Sequence, residues 1–151
     1  MRIEAAKLLF DIASAARRVL EFTTGSNYEN YSQSPLLRSA VERQFTVLGE
    51  AMSQLLRIEP ELRAWIPECA AVIGFRNILI HGYAEVDPRI VWSIIQDKVP
   101  ELLRRVNEFA FYWSLVTGSV LMLGRVSSNP NAVPQIASTC KELVPCDKFL
   151  A

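Results

Sequence analysis

The run Gly74-Phe75-Arg76-Asn77-Ile78-Leu79-Ile80-His81-Gly82-Tyr83 lies in the most apolar helical stretch of the first hundred residues, and it contains the only histidine of this 151-residue chain. Apolar side chains recur there at helical spacing on more than one face. One face holds Val72, Phe75 and Leu79, and a second holds Ile73 and Ile80. A helix that is apolar on several faces is buried on several sides. We therefore expect residues 68–81 to form a helix that packs against other helices of this chain or against a second copy.

The same periodicity predicts further helices on both sides of this run. Residues 2–23 carry apolar side chains at i, i+3, i+4 and i+7. Ser34-Pro35 indicates a helix start, with serine as the N-cap and proline in the first turn, and this helix runs to about Arg57. Asp87-Pro88 indicates another start, and Pro100 predicts a kink or a restart. Because no stretch of any length alternates apolar and polar residues, we predict an all-α protein, an antiparallel four- to five-helix bundle.

The remaining segments are predicted to be connections. A polar connection rich in Asn, Tyr and Ser follows Asn27, and residues 61–65 are expected to form one short turn. Loop-forming residues dominate after residue 124, as in Ser127-Ser128-Asn129-Pro130-Asn131. We therefore divide the chain into a helical domain, residues 1–123, and an irregular C-terminal tail, residues 124–151.

Composition limits the classes of function. The 16 basic and 16 acidic residues balance, so no bulk positive field attracts nucleic acid, and any such binding needs a local patch. The 3 cysteines have no metal-ligand spacing, and their odd number argues against a secreted disulfide framework. Charged residues near the N-terminus argue against a signal peptide, and the uncharged run Phe109–Leu123 is shorter than the ~20 residues of a membrane span. We expect a cytoplasmic protein without a membrane partner.

The central run combines side chains suited to phosphate chemistry. Histidine exchanges a proton near neutral pH in an ordinary environment, and arginine carries a permanent charge on a planar fork that matches phosphate oxygens. His81 and Arg76 therefore suit attack of an RNA 2′-hydroxyl on the adjacent phosphate, which needs a base, an acid and a cation but no metal or cofactor. One histidine does not easily serve as both base and acid. A two-fold symmetric dimer, with Ile73 and Ile80 at its interface, would present both side chains twice.

Structural roles remain open for the same residues. A lone histidine on a helix is more often hydrogen-bonded or solvated than catalytic. Arg76 could be an ion-pair partner of Glu50 or Glu85, and Tyr83 could be a packed ring after the helix. The aromatic residues between 109 and 113 are expected in the core or in a contact surface rather than in a base-stacking platform.

The residues from Arg76 to Tyr83 also match R-x4-H-x-Y, the motif of the HepT-like toxins in the HEPN superfamily. The chain resembles this family over about residues 5–108. A bare R-x4-H is weak because it occurs by chance in many chains, but here it is joined by further matches in the expected order. These are Asp11-Ile12, Arg43, Gly49-Glu50-Ala51, Trp65-Ile66-Pro67, Val86-Asp87 and Trp92.

The resemblance implies a dimer of compact helical bundles in which two R-x4-H motifs share a cleft, and it implies a metal-independent RNA endonuclease. By that likeness Arg76 would stabilise the phosphate and His81 would transfer protons. Asn77 would orient the site, and Glu50 would support it by aligning Arg76. HepT-like toxins are paired with an MntA-like nucleotidyltransferase antitoxin that transfers AMP to the tyrosine of the motif, here Tyr83. The resemblance thus implies the toxin of a type VII-like toxin–antitoxin pair.

Two other classes of function stay open. The chain could be a non-catalytic HEPN module that keeps the fold and the dimer and chiefly binds a small nucleotidyltransferase. It could also be the substrate-binding subunit of such an enzyme, with a nucleotide or a small acceptor in its cleft. RNA cleavage that depends on His81 in an intact dimer would distinguish a ribonuclease from both of these alternatives.

Overall fold

The structure, a computed structural model, describes residues 3–81 and 86–117. Within these ranges the chain forms seven α-helices, one π-helical segment and no strand. The helices are α1 (Ile3–Thr23), α2 (Tyr28–Gln33), α3 (Pro35–Ile58), α4 (Leu62–Trp65), α5 (Cys69–His81), α6 (Pro88–Ser93) and α7 (Val99–Thr117). The π-helical segment, Ile94–Lys98, joins α6 to α7. The predicted all-α class is confirmed.

Helices α1 and α3 form the centre of the bundle. α1 packs against α3 and α7, and α3 packs on its other side against α5. The side chains at the centre are fully or almost fully buried, among them Leu9, Ile12, Val19, Val41, Leu48, Met52, Leu55 and Val106. Burying one such side chain contributes about 1.5–3 kcal/mol. The apolar stripes predicted for the first two long helices are therefore the main driving force for the bundle.

Capping residues set the helix starts where the sequence predicts them. The Ser34 hydroxyl accepts a hydrogen bond from the Leu37 backbone N–H at 3.2 Å, with Pro35 in the first turn of α3. The Asp87 carboxylate accepts one from the Arg89 N–H at 2.8 Å at the start of α6. Each bond satisfies a backbone donor that the helix itself leaves unpaired. These starts depend on two or three adjacent residues, which is why the sequence alone reveals them.

The polar connection expected after Asn27 is instead a helix, α2. The Asn27 side chain caps it by accepting a hydrogen bond from the Asn30 N–H at 2.8 Å. Tyr31 of this helix is fully buried, and its ring lies 5.4 Å from that of Trp92. The polar composition concealed the helix because a single buried ring, docked against a distant part of the chain, fixes it in place.

Helical structure continues through Pro100, so the expected restart does not occur. The chain is helical from Pro88 to Thr117, and the five residues before Val99 are π-helical. The Val99 N–H bonds to the Ile94 carbonyl. Proline lacks an N–H and its ring clashes with the carbonyl four residues earlier. The wider π turn directly ahead of Pro100 is a local adjustment of the kind that lets a helix accommodate such a residue.

The fold leaves the most apolar helix poorly covered. On α5 only Cys69 is buried, while Ile78 and Ile80 are 55% and 43% exposed. The tail predicted for residues 124–151 lies outside the described residues. Among the described helices, none is long and apolar enough to cross a membrane.

Gly49 lets α3 and α5 come close together. A Cβ atom at this position would overlap the Cβ of Arg76, and it would lie 2.9 Å from the Cγ of Arg76 and 3.3 Å from the carbonyl oxygen of Val72. Two of these three contacts are made by atoms next to or in the backbone of α5, which do not swing aside. The contact between the two helices therefore requires glycine here.

We expect Gly49→Ala to lower the free energy of unfolding by about 1–3 kcal/mol, the usual cost of an added group in a close-packed contact. Urea unfolding followed by circular dichroism measures it. Gly74→Ala is the matched control, because a Cβ at Gly74 meets nothing within 4 Å and alanine favours a helix by roughly 0.5–1 kcal/mol. Equal losses in both variants would contradict the close contact.

The buried Tyr31 gives a second prediction, which concerns how the stability of the protein depends on pH. Its buried hydroxyl has no hydrogen-bond partner among the described residues. Burial, with Glu42 acting in the same direction and Arg38 opposing it, raises the pKa of Tyr31 from 10.0 to about 12. Folding favours the neutral phenol over the phenolate. The contribution of Tyr31 to the free energy of unfolding is therefore complete below pH 10.0 and is lost as the pH rises towards the raised pKa.

Tyr31→Phe should therefore be as stable as the wild type at neutral pH, or more stable, since it removes a buried unpaired hydroxyl. It should also lose less stability between neutral and strongly alkaline pH. Urea unfolding of both proteins across that pH range tests this. Parallel stability curves would mean that the phenol is hydrated in the folded protein.

Candidate active site

The described residues of the R-x4-H-x-Y run lie on the second half of α5. Arg76 points towards α3, and its side chain is 26% exposed. Asn77 and His81 lie on the exposed side of the helix, with His81 as its last residue. Tyr83, the last residue of the motif, lies outside the described residues, as does Glu85, the other acidic partner considered for Arg76.

A chain of hydrogen bonds holds the Arg76 guanidinium. Its Nη2 donates to Oε2 of Glu50 on α3 at 2.6 Å, and its Nη1 donates to Oδ1 of Asn77 at 2.9 Å. Oε1 of Glu50 in turn accepts from Nε2 of Gln54 at 2.9 Å. A guanidinium has five N–H donors, so three remain, and one of these, the Nε–H, is buried without a partner among the described residues. The structure therefore brings together three of the residues singled out from sequence, Arg76, Asn77 and Glu50, with the arginine fixed in direction.

The ion pair is better suited to orientation than to stability. The Glu50 side chain is 40% exposed, and solvent screens a pair in such a position. The carboxylate lies 26 residues from Arg76 in the chain, so no local pattern encodes the contact. It forms because the missing side chain at Gly49, the residue before Glu50, brings α5 against α3.

Arg76 and His81 are separated within one chain. No hydrogen bond joins them among the described residues, and they lie five positions apart on the helix, a rise of about 7.5 Å along its axis. They also point in different directions around the helix, since Arg76 faces α3 and His81 is exposed. A single phosphate would have to lie between the two side chains, or between side chains of two different chains.

A groove of about 390 Å³ runs beside the motif. Its lining residues come from the end of α3, from the α4 region and from α5; they are Leu56, Arg63, Pro67, Cys69, Ala70, Ile73, Gly74 and Asn77. Gly74 leaves the backbone of α5 accessible there, because no atom of the described structure lies where its side chain would be. The groove is apolar along its floor and bears one basic residue, Arg63.

Metal ligands are not assembled in the described part of the chain, where no group of three or more His, Cys, Asp or Glu side chains could hold an ion. Two features of the site escaped analysis of the sequence. One is the close contact at Gly49, whose only sequence signal was its place in the Gly49-Glu50-Ala51 match. The other is Arg63, which no motif marks.

Comparison with known proteins identifies the family of this chain. The family described as "Ribonuclease HepT-like" matches residues 12–109. The chain is 33% identical over 101 residues to "Putative RNase MJ1380" of Methanocaldococcus jannaschii, covering 66% of this chain and 90% of that protein. It is 32% identical over 90 residues to "Putative RNase TTE0752" of Caldanaerobacter subterraneus, covering 60% and 80%.

A third relative is "Probable ribonuclease HepT" of Thermococcus cleftensis, which is 31% identical over 98 residues, covering 62% of this chain and 84% of that protein. No solved structure matches the chain at a comparable level of significance. The matched region contains α3, α5 and the whole Arg76–Tyr83 motif. The chain belongs to the HepT-like ribonuclease family.

Proposed function

We propose that the protein is an RNA endonuclease that acts as a toxin, with Arg76 and His81 as its catalytic residues. The observation that carries this proposal is the Arg76 guanidinium, held by Glu50 and Asn77 on the same half-helix as the exposed His81. The names of the relatives, each described as a putative or probable ribonuclease, support the same activity.

The proposed reaction is transfer of the phosphate to the neighbouring 2′-hydroxyl. The 2′-oxygen attacks phosphorus and loses its proton to a neutral histidine, while the 5′-oxygen leaves and takes a proton from a histidinium. Arg76 bears the charge that builds up on the non-bridging oxygens. Glu50 acts as a positioning residue through Arg76. No step of this scheme requires a metal, so we propose a metal-independent enzyme.

A homodimer supplies the second histidine. Of the two predicted interface residues, Ile80 is exposed and forms an apolar surface of α5 together with Ile78, whereas Ile73 packs against the core of its own chain. A contiguous exposed apolar surface often marks a protein contact. The separation of Arg76 from His81 within one chain also favours a cleft that two copies share. The groove beside Gly74 and Asn77 would then border that cleft.

Neutralisation by a partner enzyme is the second half of the proposal. AMP transferred to Tyr83 by an MntA-like nucleotidyltransferase antitoxin would add bulk and negative charge two residues from His81. Such a charge would compete with the RNA phosphate for Arg76. This completes a type VII-like toxin–antitoxin pair. In the alternative function, a non-catalytic HEPN module, the same surface would only bind the nucleotidyltransferase or a nucleotide.

Cleavage of tRNA and mRNA by the purified protein in EDTA tests the catalytic proposal. We expect His81→Ala and Arg76→Ala to lower the rate by about 10²-fold or more, because each removes a group that acts in the transition state. Arg18→Ala is the matched control, since it removes an exposed arginine from α1 and should cleave normally. Light scattering on each variant reports folding and oligomeric state.

Three results would contradict the proposal in different ways. Cleavage retained in His81→Ala would rule out His81 as the base and the acid. A fully active monomer would rule out a cleft shared by two chains. An inactive wild type whose intact mass shows no added AMP would favour the non-catalytic module.

Tyr83 is tested by modification rather than by cleavage alone. We expect incubation with an MntA-like enzyme and ATP to add AMP to the wild type, seen as a gain in intact mass, and to abolish cleavage. Tyr83→Phe should gain no AMP and should still cleave RNA after the same treatment. Modification of Tyr83→Phe to the same extent would place the AMP on another residue.

A further inference from the structure

A second cavity lies away from the Arg76 site, between α4 and the C-terminal half of α7. Its volume is about 350 Å³, within the roughly 300–1,000 Å³ of small-molecule sites. The lining residues are Glu59, Glu61, Leu62, Trp65, Phe109, Tyr112 and Trp113. None of them is shared with the groove beside Asn77, and four of the seven are aromatic.

The aromatic rings form one connected wall. The Trp65 ring lies 5.0 Å from that of Tyr112 and 5.8 Å from that of Phe109, which stacks on Trp113 at 5.8 Å. Phe109 is buried, whereas the other three rings are only partly buried and border the cavity. These contacts hold the rings against one another, so that the wall is already formed without a ligand.

Both charged side chains that line this cavity are carboxylates. Glu59 and Glu61 line it, and neither carboxylate makes an ion pair or side-chain hydrogen bond within the described ranges 3–81 and 86–117. Glu59 also caps the C-terminus of the 24-residue α3, the end at which the helix dipole is negative. No basic residue is among the described residues that line the cavity. The cavity therefore combines aromatic rings with two carboxylates that have no ion-pair partner among the described residues.

We propose that this cavity binds an organic cation, a quaternary ammonium or a guanidinium group. Aromatic faces attract such cations through their quadrupole, and desolvation within an aromatic cage strengthens the attraction. Adjacent carboxylates add a Coulomb attraction for the same charge. An RNA strand also stacks on aromatic rings, but its phosphates would meet two unpaired carboxylates. Charge thus selects a cation, and this proposal is independent of the ribonuclease function.

The test uses the full-length protein and compares choline with 3,3-dimethylbutanol, its uncharged isostere. Isothermal titration at constant ionic strength, with tryptophan fluorescence as a second readout, gives both affinities. We expect choline to bind at least tenfold more tightly than the alcohol. Blocked arginine, Nα-acetyl-arginine amide, forms the second arm. Preference for choline indicates a quaternary ammonium ligand, and preference for blocked arginine indicates a guanidinium ligand.

The carboxylates are tested with a double variant, Glu59→Gln with Glu61→Gln, which keeps the shape of the cavity and removes its charge. We expect it to bind the preferred cation at least tenfold more weakly. Glu4→Gln with Glu21→Gln, which removes two exposed carboxylates from α1, is the matched control and should bind normally. Failure of both cations to bind, equal affinity for the uncharged alcohol, or unchanged binding by the Glu59 and Glu61 variant would each overturn the proposal.

Discussion

The contact between α3 and α5 at Gly49 is the constraint on which the candidate site depends. Without a side chain at Gly49, the Arg76 stem lies against α3, and the next residue, Glu50, accepts a hydrogen bond from its guanidinium at 2.6 Å. A side chain at this position would separate the helices and release the guanidinium from its partner. The absence of a Cβ atom at Gly49 therefore allows both the close packing of α3 against α5 and the hydrogen bond that orients Arg76.

The second feature is an imbalance in how the helices are buried. α1 and α3 are amphipathic and cover each other, whereas α5 is apolar on several sides and is covered chiefly on the side of α3. A contiguous exposed apolar surface often marks a contact with another protein. The proposed dimer uses this surface. In such a dimer, α5 would contribute to the packing of the bundle, to the contact between the two chains and to catalysis.

Charge is divided between two regions of a chain whose net charge is zero. The groove beside the motif has one charged residue among its lining residues, Arg63. The aromatic cavity near Trp65 carries two carboxylates, suited to a cation. The net charge of the whole chain does not reveal this difference between the two regions.

The sequence by itself determined the long helices, their capped starts at Ser34 and Asp87, and the R-x4-H-x-Y motif, because each is encoded by residues within one or two turns of each other. Only the tertiary structure decided which helices meet. It formed α2 by burying Tyr31, it joined Glu50 to Arg76, and it set Trp65 beside Tyr112. These contacts link residues far apart in the chain, and their geometry depends on the packing of whole helices, which no local pattern records.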